Sequence, residues 1–183
     1  MKLLPKLAAA VAAFFIGLTP ALAADTAKQA EVRKAAEGAL ADFYKSDPKI
    51  KGQVEAAPGY AVFTTYGLSF LVGGAGGKGI AYDKATKKHT YMELAQASAG
   101  AQIGASETRY LFIFKSAADL QQFIDKGWDA SASVAAGAGT GKDSANVSAG
   151  AFTGGQFYTL TKAGLQVGAA AAGTKVWKDK DLN

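Results

Sequence analysis

The spacing of apolar residues is helical in the chain before residue 58. Between Asp25 and Ser46, apolar residues recur at offsets of four, seven, eight and eleven positions, which places them along one side of a helix. They are Val32, Ala36, Ala39, Leu40 and Phe43. The pattern predicts an amphipathic helix whose start is capped by Asp25 or Thr26.

A second, shorter helix is predicted directly before Pro58. Asp47 can cap its start, Pro48 suits its first turn, and Pro58 ends it. Its apolar residues Ile50, Val54 and Ala57 fall on one side. We therefore expect a helical N-terminal part, 24–57, in the mature chain.

From residue 59 onward the pattern is that of strands. Segments 60–66 and 109–114 are β-branched and aromatic without strict alternation, as expected for central strands covered on both faces. The polar stretch 83–87 predicts a hairpin turn. The expected strands are 60–66, 78–82, 88–94, 97–105, 109–114, 130–137, 147–152, 156–161 and 165–177.

One helix is predicted to interrupt the strands. Ser116 and Asp119 have the spacing of a helix cap, and Leu120, Phe123 and Ile124 then face inward. Of the 22 glycines, 19 lie between Gly59 and Gly173, and small residues let a sheet curve tightly. The expected fold is α+β: a strongly curved antiparallel sheet or small β-barrel, with the N-terminal helices and one inserted helix packed on it.

The first 23 residues have the pattern of a secretory signal peptide. Lys2 and Lys6 precede an apolar run over 7–18, and the small residues of Ala21-Leu22-Ala23 suit a signal peptidase. We expect cleavage after Ala23 and a periplasmic or secreted protein with one domain over 24–183, of which 58–183 is the glycine-rich β part. The alternative, a retained membrane anchor, is disfavoured because the run is shorter than the roughly 20 residues of a spanning helix.

Composition excludes several classes of function. The absence of cysteine excludes disulfides, thiol catalysis and Cys-based zinc sites. Loss of Lys2 and Lys6 leaves 18 basic and 15 acidic residues, a formal charge of +3, and Arg33 and Arg109 are the only arginines. Such a small excess does not predict a nucleic-acid-binding protein.

Local motifs do not define a catalytic or cofactor site. Glycines in 74–79 match a dinucleotide pattern, but a strand rather than a helix follows, so we expect a glycine bulge or loop at a barrel rim. Segment 139–143 resembles a phosphate loop, yet Ala136 replaces the leading glycine, and a solvated hairpin is favoured. His89 has no second His or Cys to share a metal and is expected at the surface. The expected cofactor and metal content is therefore none.

Basic residues indicate the most plausible partner, an anionic lipid or membrane surface. Each basic residue near anionic lipid contributes roughly 1 kcal/mol, and an amphipathic helix with a cationic face can lie on a membrane. The candidate lipid-binding residues are Lys28, Arg33 and Lys34 on the first helix, and Lys84, Lys87 and Lys88 in the hairpin. Ordinary packing of the first helix on the domain is the alternative interpretation of its apolar side.

The order and spacing of several segments resemble the SYLF domain family. The first of these segments are 58–63 (PGYAVF), 73–74 (GG), 77–79 (GKG), 99–104 (AGAQIG) and 110–114 (YLFIF). They are followed by Leu120 with Phe123, the strand 130–137, and the stretch from Tyr158 to Gly168, which contains 164–165 (GL). The resemblance implies a non-catalytic module that binds phosphoinositides or other lipids, and in eukaryotic members also actin. Actin is not an expected partner of an exported bacterial protein. Where many members carry a Trp-Ser-x-Pro-like stretch, this chain has 91–96 (YMELAQ), and the later Gly-Pro is Gly137-Ala138.

Three hypotheses follow from the sequence. The first is an exported SYLF-like module that associates peripherally with anionic lipid. The second is a small outer-membrane β-barrel or a periplasmic structural protein, although the alanine-rich and serine-rich strands lack a lipid-facing apolar band. The third is a hydrolase with two carboxylates that converge only on folding, which the scattered acidic residues neither require nor exclude.

Overall fold

The computed structural model describes residues 20–69, 72–99, 104–130, 152–161, 164–167 and 173–183. Within these ranges the chain forms three helices and one eight-stranded antiparallel sheet, which is strongly curled. The helices are α1 (Pro20–Ser46), α2 (Lys49–Ala56) and α3 (Ala117–Lys126). The strands are β1 (Gly59–Ser69), β2 (Val72–Asp83), β3 (Lys88–Ala99), β4 (Gly104–Phe114), β5 (Trp128–Asp129), β6 (Gly155–Thr161), β7 (Gly164–Val167) and β8 (Thr174–Lys178).

The order of strands across the sheet is β5-β8-β3-β2-β1-β4-β6-β7. The two strands predicted to be central, β1 and β4, are neighbours near the middle, and both faces of each are buried. Thr64 of β1 pairs with Lys78 of β2 on one side and with Arg109 of β4 on the other. The predicted α+β fold with a curved antiparallel sheet is therefore confirmed.

One face of the sheet, called here the helix face, is covered by α1 and α2. Val62, Ile80 and Leu111 of the sheet are buried against the apolar side of α1, where Phe43 is fully buried. The other members of this core include Ala36 and Ala39 of α1, Ile50 and Val54 of α2, and Tyr91, Tyr158 and Leu182. The apolar sides predicted for both N-terminal helices are thus confirmed.

The opposite face, called the aromatic face, is covered by α3. Ser116 caps this helix by accepting a hydrogen bond from the Asp119 N–H at 3.1 Å, and Leu120, Phe123 and Ile124 are buried, as predicted. The ring centroid of Phe112 lies 4.5 Å from that of Phe157 and 5.0 Å from that of Phe123. Packed aromatic rings therefore form most of this core.

The N-terminus of α1 differs from the prediction. Residues 20–46 are helical, so Asp25 and Thr26 lie inside the helix and do not cap it. Residues 21–24 are alanine and leucine, which have high helix propensity. At α2 the N-cap is Pro48 rather than the predicted Asp47, which lies one position earlier. The Asp47 carboxylate still accepts a hydrogen bond from the Lys49 N–H at 2.9 Å and so orders the start of the helix.

Two predicted strands are each divided in the structure. Residues 97–99 end β3 and residues 104–105 begin β4, while 165–167 belong to β7 and 174–177 to β8. β7 and β8 lie near opposite edges of the sheet. Runs of small residues have no apolar alternation that would mark where one strand ends. The predicted strands 130–137 and 147–152 and the loop 139–143 lie outside the described residues, apart from Ala130 and Phe152, and the short strand β5 was not predicted.

The glycine-rich segment 74–79 is the central part of β2, not a rim loop. It pairs without interruption with β1 on one side and β3 on the other. A Cβ atom at Gly77 would overlap the carbonyl oxygen of Thr64, and one at Gly79 would overlap the backbone of Val62 and the ring of Phe63. These glycines therefore allow close approach of β1 to β2 and form no strand-to-helix turn for a dinucleotide.

Candidate basic and aromatic surface

The β2–β3 hairpin presents Lys87 and Lys88 as exposed side chains. The Asp83 carboxylate orders the turn by accepting hydrogen bonds from the N–H groups of Ala85 at 2.9 Å and Thr86 at 3.3 Å. A side-chain hydrogen bond with Thr86 is the main cause that lowers the pKa of Asp83. Lys87 has a φ of 56°, in the left-handed region, which completes the reversal of the chain. The two lysines are thus held outward by a defined turn.

Lys84, a third candidate in this hairpin, is held by the neighbouring helix. Its ammonium group donates hydrogen bonds to the carbonyl oxygens of Val54 and Glu55, the latter at 2.7 Å. These carbonyls belong to the last turn of α2, where backbone acceptors lack partners within the helix. Lys84 therefore fastens the hairpin to the C-terminus of α2, and its charge is directed toward the protein.

The three basic candidates on α1 point in different directions. All are exposed, but successive helix residues are rotated by about 100°, so Lys28 and Arg33 lie about 140° apart around the axis. Arg33 is close enough to His89, at the base of the hairpin, for its charge to lower the pKa of the imidazole. Lys34 lies opposite the buried apolar side. The structure thus brings Arg33, but not Lys28 or Lys34, toward the hairpin lysines.

Between Arg33 and the hairpin lies a row of aromatic rings, called here the aromatic row: Tyr60, Tyr82 and His89. These residues pair across β1, β2 and β3, so their side chains are neighbours on the helix face. The ring centroids of Tyr60 and Tyr82 are 5.5 Å apart, and those of Tyr82 and His89 are 4.6 Å apart. All three side chains are half-buried. Burial, with the nearby Tyr44, Tyr82 and Glu37, raises the pKa of Tyr60 to about 12.

His89 is half-buried rather than fully on the surface. Burial lowers the pKa of its imidazole, the positive charge of Arg33 lowers it further, and Glu37 acts in the opposite direction. Within the described ranges, there is no group of three or more His, Cys, Asp or Glu side chains that could hold a metal ion. The imidazole instead packs against the ring of Tyr82, with 4.6 Å between the ring centroids.

Sequence analysis missed a cluster of charges farther along the helix face. Lys78 forms ion pairs with Glu93 at 2.7 Å and with Asp179, and the Trp177 N–H donates to Glu93 at 2.8 Å. Two carboxylates do converge here, but a lysine lies between them. Hydrogen bonds from Lys78 and from backbone N–H groups lower the pKa of Asp179, whereas a general acid needs a raised pKa. This geometry fits a structural ion pair and gives no support to acid–base catalysis.

Among the described residues, none of the helices has the length and apolar character needed to cross a bilayer. The apolar side of α1, which could otherwise insert into a membrane, is already buried, because Phe43 packs on the sheet. The neighbouring Asp42 also fastens the helix to β4 through an ion pair with Arg109 at 2.7 Å. The packing interpretation of its apolar side therefore holds from Val32 onward. The sides of the helix that carry Lys28, Arg33 and Lys34 remain exposed.

The fold is that of a small α+β domain built on one curled sheet, with exposed lysines beside a half-buried aromatic row. Residues 95–183 match the family model described as Ysc84, Las17-binding protein actin regulator. Over 159 residues the chain is 34% identical to Beta cell expansion factor A of Aeromonas veronii. The match covers 86% of this chain and 60% of that relative, so the chain spans less than two thirds of the relative's length. The predicted resemblance is confirmed over these residues: 95–183 match a domain of the SYLF (Ysc84) family.

Proposed function

We propose that the chain is an exported, non-enzymatic SYLF module that associates peripherally with anionic lipid. The contact surface consists of Arg33, Lys87 and Lys88 together with the aromatic row. The observation that carries this proposal is the row of Tyr60, Tyr82 and His89 across three strands, directly beside the hairpin that exposes Lys87 and Lys88. Arg33 of α1 is close enough to this row for its charge to lower the pKa of His89. The family match supports a lipid- or actin-binding type of module, and the lipid class is proposed from the surface chemistry.

The chemistry of the surface suits the boundary between water and lipid. Tyrosine and histidine have an apolar body and a polar end, and such rings favour the headgroup region of membranes. Each nearby basic residue adds about 1 kcal/mol of attraction to anionic lipid. With three cations, binding is expected to be weak, reversible and strongly reduced by salt, because exposed charges are screened beyond about 8 Å at physiological ionic strength.

Co-sedimentation with vesicles tests this proposal. Phosphatidylcholine vesicles with and without phosphatidylglycerol are compared at about 0.05 M and about 0.5 M salt. The chain should sediment only with the anionic vesicles and only at low salt. The variant Lys87→Ala/Lys88→Ala should lose most of this binding.

A matched control removes the same charge elsewhere. Lys126 at the end of α3 and Lys178 of β8 are exposed and lie on the aromatic-face side of the sheet. Lys126→Ala/Lys178→Ala should retain binding. Equal losses in the two double variants, or no binding to anionic vesicles at low salt, would contradict the proposal. Loss of binding only in Lys28→Ala/Arg33→Ala/Lys34→Ala would instead identify α1 as the whole contact surface.

Export is the second part of the proposal, and it is supported by the signal-like pattern of residues 1–23. Cell fractionation of the source bacterium, followed by N-terminal sequencing of the recovered chain, tests it. The expected product lies outside the cytoplasm, begins at Ala24, and forms one domain over 24–183. A cytoplasmic chain that begins at Met1 would contradict export without affecting the lipid test.

A further inference from the structure

We infer that His89 makes the association with anionic lipid dependent on pH. Protonation of its imidazole adds a positive charge at the base of the hairpin that carries Lys87 and Lys88, so the surface binds anionic phosphate groups more tightly in mildly acidic solution. This inference rests on the proposed lipid association. The ligand chemistry is an anionic phosphodiester displayed on a membrane.

His89 is the only histidine of the chain. Histidine is the side chain whose charge ordinarily changes between about pH 5 and pH 8. Its position at the β3 end of the aromatic row, directly after Lys87 of the turn and Lys88 of β3, places that change inside the proposed contact surface. A change of charge at this residue therefore acts on lipid contact directly.

The groups around His89 favour its neutral form when lipid is absent. Burial and the charge of Arg33 both lower the imidazole pKa, and Glu37, also on α1, opposes them only in part. On the sheet side, the ring of Tyr82 contacts the imidazole. The charged and titratable groups that act on or contact His89 are Arg33 and Glu37 of α1 and Tyr82 of β2. Lys88 precedes His89 in β3, so its side chain points to the other face of the sheet.

An anionic lipid phosphate at this surface would reverse that preference. A negative charge close to the imidazole stabilises its protonated form, so bound His89 takes up a proton more readily than free His89. Protonation and lipid binding are linked. For each unit by which bound lipid raises the imidazole pKa, binding becomes about tenfold tighter at pH values below the pKa of both the free and the lipid-bound protein. A rise of half to one unit predicts a gain of about 3- to 10-fold.

The experiment measures affinity for phosphatidylglycerol-containing vesicles at about pH 5.5 and about pH 7.5 at constant low salt. The phosphodiester of phosphatidylglycerol is ionised at both values, so the vesicle charge stays constant. The unmodified chain should bind about 3- to 10-fold more tightly at the lower pH. His89→Gln should bind weakly at both values, and His89→Lys, which carries a permanent charge, should bind tightly at both.

Proton NMR gives an independent measurement, because the single imidazole has its own resonances. Its titration midpoint should move to higher pH when phosphatidylglycerol nanodiscs are added, and not with phosphatidylcholine nanodiscs. Equal affinity at both pH values, or pH dependence that persists in His89→Gln, would overturn the inference and leave the lipid association intact. Absence of binding at both pH values would overturn the proposed function and the inference together.

Discussion

Lys78 of β2 forms an ion pair with Asp179, although 101 positions separate the two residues in the chain. The Asp179 side chain is only 1% exposed, and its second carboxylate oxygen accepts hydrogen bonds from the N–H groups of Asp181 at 2.9 Å and Leu182 at 3.2 Å. Residues 179–183, called here the C-terminal tail, are thereby held on the sheet. One carboxylate thus connects the tail to the central strands.

Replacement of Asp179 by asparagine should destabilise the fold at neutral pH. Burial alone would raise the pKa of this carboxyl, but hydrogen bonds from Lys78, Asp181 and Leu182 outweigh it and lower the pKa. Because the folded-state pKa lies below the unfolded value of about 3.9, the contribution is present above that value and is lost as pH falls through the folded-state pKa. Urea unfolding of Asp179→Asn should show a loss of about 1–3 kcal/mol at pH 7.

A surface ion pair supplies the control for this prediction. Lys175 and Asp129 are 3.0 Å apart, but the Lys175 side chain is 62% exposed, so Lys175→Ala should change the free energy of unfolding by less than about 0.5 kcal/mol. Below about pH 3, the difference between Asp179→Asn and the unmodified chain should shrink. Equal stability of the two variants at pH 7 would refute the structural role of Asp179.

Two adjacent glycines in β2 should respond very differently to substitution by alanine. A Cβ atom at Gly77 would overlap the backbone of Thr64 in β1, whereas one at Gly76 would meet nothing within 4 Å. Gly77→Ala should therefore cost about 2–3 kcal/mol or more, because backbone cannot move aside as a side chain can, while Gly76→Ala should stay within about 0.5 kcal/mol. Thermal and urea unfolding of the two variants, measured side by side, test this; a cost at Gly76 equal to that at Gly77 would contradict the observed register.

The helices and long strands could be predicted from sequence because local pattern determines them. Phe43, Leu120 and Phe123 recur with their neighbours at helical spacing, and each is buried where the pattern placed it. The polar turn before Lys88 was likewise identified by local composition. Such features depend on residues close together in the chain, so a single sequence contains the information.

For the candidate surface, the sequence could predict the types of residue, basic and aromatic, but not which individual residues lie together. That Arg33 faces the hairpin while Lys28 does not depends on how α1 crosses the sheet, and that Lys84 binds the end of α2 depends on a contact across about 30 residues. The ion pair between Lys78 and Asp179 has no local signal at all. Contacts between distant segments of the chain, rather than residue type, therefore determine which charged side chains belong to the surface.

Removal of the Lys84 ammonium group should destabilise α2, with only a small effect on lipid binding. Because Lys84 donates hydrogen bonds to the carbonyls of Val54 and Glu55, Lys84→Ala should lower the free energy of unfolding by about 1–2 kcal/mol. Hydrogen exchange of α2 amides should become faster in this variant. Lys87→Ala, at an exposed position in the same turn, should leave stability and exchange unchanged, and protection of α2 that stays intact in Lys84→Ala would disprove the capping role.

Stability should also fall in alkaline solution, and Tyr110 on the aromatic face should account for part of the loss. This residue is 2% exposed, and burial raises the pKa of its hydroxyl to about 12. Because the folded-state pKa lies above the unfolded value of about 10, the contribution is complete below pH 10 and is lost as pH rises toward 12.

For Tyr110 the full loss amounts to about 2–3 kcal/mol. Urea unfolding between about pH 9 and pH 11.5 should therefore show a smaller decline for Tyr110→Phe than for the unmodified chain. Lysines titrate over the same range in both proteins and cancel in the comparison. Phenolate absorbance provides a second measurement: at about pH 11, the increase in absorbance when urea unfolds the protein should be larger by about one tyrosine in the unmodified chain than in Tyr110→Phe. Tyr60, whose pKa is also raised to about 12, contributes the same increase in both proteins. Parallel pH profiles for the two proteins would show that Tyr110 ionises as freely in the folded chain as in the unfolded one.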